Sequence, residues 1–143
     1  KDQNPLVVVY FSPPYYPHIY IDGTNPKDKA LIDAVDNAVK TTKTDYKLAY
    51  KKFFPYISDL SYGAAPKDPA IIASLKNNMP GFGVKYTLPL EDMQKLSLPV
   101  LDIGCFGYDA HKFTERVEKK YSYTVTPELV YKTVMKLLNN EIL

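Results

Sequence analysis

Leu98-Pro99-Val100-Leu101-Asp102-Ile103-Gly104-Cys105-Phe106-Gly107-Tyr108-Asp109-Ala110-His111-Lys112-Phe113-Thr114-Glu115-Arg116 is the stretch on which the reading of the fold turns. Its first six residues form a mainly apolar run with the length of a buried strand. Two glycines follow, then a His and a Glu four residues apart. A strand that ends in a loop of this kind is the layout of a site at the carboxyl edge of an open α/β sheet. Loops beyond strand ends also hold polar groups without disturbing a core. If the loop turns helical near Phe113, His111 lies just ahead of the helix and Glu115 in its first turn, where both can face one crevice. A surface loop followed by a solvated, charged helix is the other reading of the same spacing.

Working outward, residues 6–11 (Leu-Val-Val-Val-Tyr-Phe) are β-branched or aromatic almost throughout and predict a strand. They run into Ser12-Pro13-Pro14-Tyr15-Tyr16-Pro17-His18, where prolines remove amide donors and fix φ. That segment predicts a stiff connector, as at a hinge or a domain crossing. Asn25-Pro26-Lys27-Asp28 is a helix start, with a cap residue, a proline and a first-turn acid. Ala30, Leu31, Ala34, Val35, Ala38 and Val39 then recur at helical spacing, the apolar face of a helix that covers a sheet. Tyr46, Leu48 and Tyr50 alternate with Lys47, Ala49 and Lys51 at the period of a strand. Asp68-Pro69 and Thr126-Pro127 repeat the cap-and-proline start, the latter ahead of Leu129, Val130, Val134, Leu137 and Leu138. A short strand over 84–88 and a helical turn over 90–96 complete the pattern. Alternating strands and helices predict a layered α/β domain with helices on a mostly parallel sheet.

Composition narrows the function classes. The 143 residues are the size of one domain, 45% hydrophobic and 24% charged, which is ordinary for a globular chain. A net charge of +2 gives no electrostatic case for nucleic acid or an anionic membrane as partner. The longest apolar run, 6–11, is far short of a bilayer span and has no charged leader or cleavage site beside it. One cysteine, Cys105, excludes an internal disulfide and fits a reducing compartment. Its two readings are a catalytic thiol and, more commonly for a lone cysteine, an inert core residue. The 13 tyrosines predict many half-buried rings with their hydroxyls at the rim. The chain begins Lys1-Asp2-Gln3 without a Met, which leads us to expect a fragment.

His18, Asp59, His111 and Glu115 are the polar residues at or near predicted strand ends. Imidazole is the commonest protein ligand for zinc, and carboxylates share the metal or orient the imidazole. A catalytic zinc needs three protein ligands, and no HExxH, CxxC or His-x-Asp is present to supply them. GxGxxG, the P-loop and the GxSxG elbow are also missing. Ser58 and Ser61, beside Asp59, are expected to bond backbone in a loop.

Tyr56-Ile57-Ser58-Asp59-Leu60, then Leu98-Pro99-Val100-Leu101-Asp102-Ile103-Gly104, then Ala110-His111-Lys112-Phe113-Thr114-Glu115-Arg116-Val117 resemble, in that order, the carboxyl-terminal part of the co-catalytic zinc aminoacylase, carboxypeptidase and deacylase family. With Ser12-Pro13-Pro14-Tyr15-Tyr16-Pro17-His18 added, the resemblance is strongest to its RocB-like arginine-utilisation branch. It implies that His111 is the last metal ligand, Glu115 the acid of the same segment, and Asp59 the site-region acid of the earlier loop. It also implies an α/β/α catalytic-domain half at 18–143, preceded at 1–17 by the end of a lid and dimerisation domain and its proline hinge. Thr114 stands where an Asn is usual and Cys105 where a Pro is common, so loop geometry is expected to depart from the family's. The implied function is part of a cytoplasmic, homo-oligomeric, zinc-dependent amidohydrolase of peptides or N-acyl amino acids, inactive alone because the other metal ligands lie upstream. A non-catalytic binding or assembly subunit with the same fold is the alternative.

Overall fold

A computed structural model describes residues 4–54 and 56–139. Among them the chain is mixed α/β, with four α-helices and two small antiparallel ladders. It divides into two compact units: Lys1–His18 with Tyr56–Leu98, and Ile19–Pro55 with Pro99–Leu143.

The second unit is built on two helices. α1 (Pro26–Thr41) starts as its sequence dictates, with the Asn25 side chain accepting from the Asp28 amide at 2.9 Å and Pro26 in the first turn. Ala30, Leu31, Ala34, Val35 and Ala38 are buried along one face, and the alanines let α4 (Thr126–Leu138) come close. One apolar cluster gathers Ile21, Leu31 and Val35; the other gathers Ala38, Val125 and Leu129. Lys132 ties the ends together: its ammonium pairs with Glu128 at 2.6 Å and donates to the Thr41 carbonyl at 2.7 Å, at the carboxyl end of α1.

Thr126-Pro127 does not start a helix. The helical path begins before it, at residue 119, and passes through a π-helical turn, Tyr121–Val125. Pro127 has no amide to donate, and the widened turn before it, with the Thr126 amide on the Tyr121 carbonyl, accommodates the proline. The working cap is Glu118, whose carboxylate accepts from the Lys120 and Tyr121 amides. The Tyr121 bond chiefly holds the Glu118 carboxyl below its usual range.

Two extended segments lie against the helices. Tyr46, Leu48 and Tyr50 are half-buried and their neighbours Lys47, Ala49 and Lys51 exposed, the predicted period of two. Leu101 and Ile103 are likewise half-buried. Neither segment joins a ladder among the described residues. The ladders that form are short and antiparallel: β1 (Ile19–Tyr20) with β2 (Phe53–Phe54), and β3 (Gly107–Tyr108) with β4 (Arg116–Val117). Strand-like side-chain alternation therefore holds at 46–50, whereas Pro99, Val100 and Leu101 are half-buried in succession, and neither expected strand pairs in a ladder among the described residues.

In the first unit, α2 (Pro69–Asn77) is capped by Asp68, which accepts from the Ala70 amide at 2.8 Å, and α3 (Leu90–Leu96) buries Met93. The strand expected over 84–88 is a tight turn instead. Gly81 and Gly83, both at φ +82, reverse the chain, and the Gly83 amide reaches the Tyr86 carbonyl at 2.8 Å. Tyr62 and Tyr86 clasp the backbone of Tyr15: both hydroxyls donate to its carbonyl, and the Tyr86 oxygen accepts its amide at 3.0 Å. Burial, then the Tyr86 hydroxyl, pushes the Tyr62 phenol up to about 12. Among the described residues the predicted strand at 6–11 joins no ladder, and it is exposed, with Leu6 at 84%, Val7 at 87% and Val9 at 88%.

Candidate functional site

The segment from Gly104 to Glu118 forms a β-hairpin, not a loop leading into a helix at Phe113. Gly107 pairs with Val117 and Tyr108 with Arg116, and the Glu118 amide extends the register to the Phe106 carbonyl at 2.8 Å. Gly107 is required there because a Cβ would run into the Arg116 carbonyl oxygen. The root is aromatic: Phe106 stands edge-on to Tyr108 and Tyr121, and Tyr121 edge-on to Tyr46. Desolvation, then the Glu118 carboxylate, raises the Tyr46 phenol. The Thr126 hydroxyl donates to the Gly104 carbonyl at 3.3 Å and fixes the hairpin to the helix behind it.

The hairpin tip is braced from within. Asp109 pairs with Arg116 at 2.5 Å and accepts from the Thr114 hydroxyl at 3.0 Å. Arg116 also donates to the Thr114 carbonyl at 3.1 Å and lies over the Tyr108 ring, 5.0 Å from its centre. The Lys112 amide reaches the Asp109 carbonyl and the Glu115 amide the Lys112 carbonyl, two successive turns. Asp109 at φ 58 and His111 at φ 63 occupy the left-handed region, which Asp and His tolerate better than most side chains. Such conformations persist where surrounding contacts fix them and often mark functional loops. Glu115 closes the turn by accepting the His111 amide at 3.1 Å.

The structure thus brings His111 and Glu115 together, with the carboxylate on the backbone of the histidine. The His111 residue is exposed at the tip. Asp59 lies in the other unit, exposed at the head of a 3₁₀ turn, Asp59–Gly63, which Ser58 caps by accepting the Leu60 amide at 3.2 Å. His18, too, is exposed in that unit. The Ser61 hydroxyl, expected on backbone, is buried and bonded to nothing among the described residues. Cys105 is a free thiol and exposed at the hairpin root, so it is not a core residue. Sequence spacing did not single out Asp109, Arg116 or Glu118, although a carboxylate and a guanidinium flanking the His111–Glu115 pair was a readable sign. As a metal site, the tip offers one exposed imidazole. No group of three His, Cys, Asp or Glu able to hold a metal occurs among the described residues.

Comparison with known proteins places this geometry in context. RocB of Bacillus subtilis (strain 168) is 36% identical over 141 residues, which is 97% of this chain and 25% of RocB. The chain is RocB-like over nearly its whole length. The uncharacterised protein YqjN of the same strain is 37% identical over 141 residues, 96% of this chain and 24% of YqjN. The RocB-like chain therefore spans about a quarter of the length of these curated relatives. No family profile matches it, and no solved structure matches it significantly. No described helix is long and apolar enough to cross a membrane.

Proposed function

We propose that this RocB-like chain is part of a cytoplasmic, zinc-dependent amidohydrolase of aminoacylase, deacylase or dipeptidase type, acting in arginine or amino-acid catabolism. The observation that carries the reading is the His111 tip, a left-handed, internally braced loop that holds an exposed imidazole with Glu115 bound to its backbone. In this reading His111 is one zinc ligand, Glu115 the acid that sets its turn, and Asp59 a site-region acid. Zinc would supply an activated water for attack on the amide carbonyl of a peptide or N-acyl amino acid. The remaining ligands belong to the part of the protein not represented in these 143 residues. The finer architecture follows the same reading: residues 18–143 as half of an α/β/α catalytic domain on a mostly parallel sheet, 1–17 as the end of a lid domain, and a homo-oligomeric assembly.

The second reading, a binding or assembly subunit without catalysis, is favoured by the single-imidazole donor set. The test is metal analysis and hydrolysis of N-acyl amino acids and dipeptides by the full-length gene product. The expected result is stoichiometric zinc and activity, both lost in His111→Ala and retained in His18→Ala. A full-length product that binds no zinc and cleaves neither substrate class would establish the second reading.

A further inference from the structure

Among the described residues the His111 imidazole makes no hydrogen bond or ion pair; the bond at this position is that of its backbone amide to Glu115. Where the ring stands is therefore decided by the backbone beneath it. That backbone enters the left-handed region twice, at Asp109 (φ 58) and at His111 (φ 63), and side chains other than glycine stay there only where neighbours hold them. The half-buried carboxylate of Asp109 supplies such a hold by reaching across the turn. Its Oδ2 accepts from the Arg116 guanidinium at 2.5 Å and from the Thr114 hydroxyl at 3.0 Å, both beyond His111 in the chain. The same Arg116 nitrogen donates to the Thr114 carbonyl at 3.1 Å. The guanidinium also lies over the Tyr108 ring, on the strand that leads into the bend. His111 is thus enclosed between residue 109 and residues 114–116, and one carboxylate oxygen ties the two sides together. An isolated exposed ion pair contributes little, but a guanidinium that is stacked and shared among several acceptors is the network case.

We propose that Asp109 and Arg116 are positioning residues for His111: their pair across the turn holds both left-handed bends and so sets where the imidazole stands. Glu115 then closes the turn on the His111 amide, inside a frame that the pair has already fixed. That the ring so placed is a zinc ligand rests on the function proposed above; the placement itself does not.

The test is amide hydrogen exchange across 107–118, read residue by residue in the full-length gene product, together with its zinc affinity. Arg116→Ala is the deciding variant, because it leaves both left-handed residues in place and removes only their tie. The amides of His111, Lys112 and Glu115 should exchange roughly 3- to 10-fold faster, while the Glu118 amide and those of α4 are unchanged. Asp109→Ala should do the same. Asp109→Asn, which keeps an acceptor oxygen and tolerates the left-handed region, should recover part of the protection. Thr114→Val, which spares the pair and removes one of its supports, should loosen the same amides less. Zinc affinity should fall about 10- to 100-fold in Arg116→Ala and Asp109→Ala. Native protection of the tip in Arg116→Ala overturns the proposal, and so does a loss that spreads to Glu118 and α4, which would make the pair a general structural one. A native product without zinc overturns the zinc reading alone, and the exchange pattern still decides the positioning.

Discussion

The α1–α4 helix pair and the extended segments packed against it differ in how each satisfies its backbone. The helices carry their own caps, close their backbone bonds internally and bury Ala34, Ala38 and Leu129 almost completely. The extended segments contribute half-buried rings and side chains to the same clusters but join no ladder among the described residues. A helix satisfies its backbone within itself, whereas a strand needs a neighbour.

The largest expected effect sets the helix pair against the extended segments. Leu129→Ala should destabilise the chain by about 2–5 kcal/mol in urea unfolding, because it opens a cavity between the helices. Leu101→Ala, from a half-buried extended segment, should cost only about 1 kcal/mol. Equal losses would show that the extended segment is packed as tightly as the helix pair. Gly107→Ala comes next: the Cβ collides with the facing strand, at about 1–3 kcal/mol. Helix circular dichroism should survive while the resonances of 107–117 collapse toward random-coil values. A simultaneous loss of helix signal would mean that the hairpin and the helix pair fold as one.

The smallest effects are those of pH. Glu118 is held below its usual range in the folded chain, so its contribution is present above 4.5 and is lost as pH falls through the lowered value. Unfolding midpoints should drop there in the native chain and less in Glu118→Gln. Tyr62 has the opposite sign. Its folded phenol titrates at about 12 against 10.0, so stability present below 10.0 is lost as pH rises toward 12. Tyr62→Phe should weaken the alkaline dependence, leaving the part that the raised Tyr46 phenol contributes.

Local chemistry was the legible part of the sequence. Asn25-Pro26 and Asp68-Pro69 announced α1 and α2 because a cap and its helix lie within one turn. The same pattern misled at Thr126-Pro127, where Glu118 had already started the helical path and the proline fell inside it. Tyr46, Leu48 and Tyr50 showed their inward face, but ladder pairing depends on distant chain that periodicity does not encode. The site was half legible. His111 and Glu115 stood out by residue type, whereas the hairpin that holds them depends on Gly107 meeting a strand nine residues on and on two left-handed residues. The charged run after Phe113 suggested a helix because nothing local in it specifies the return strand.

The central functional proposal is that this chain supplies one corner of a zinc site and no more. Calorimetric titration of the 143-residue chain with zinc, paired with the proton resonances of its two imidazoles, tests that most directly. The account predicts no stoichiometric binding at micromolar zinc, with the His111 resonance responding only to large excess and ahead of His18. Stoichiometric binding at micromolar zinc or tighter would contradict it.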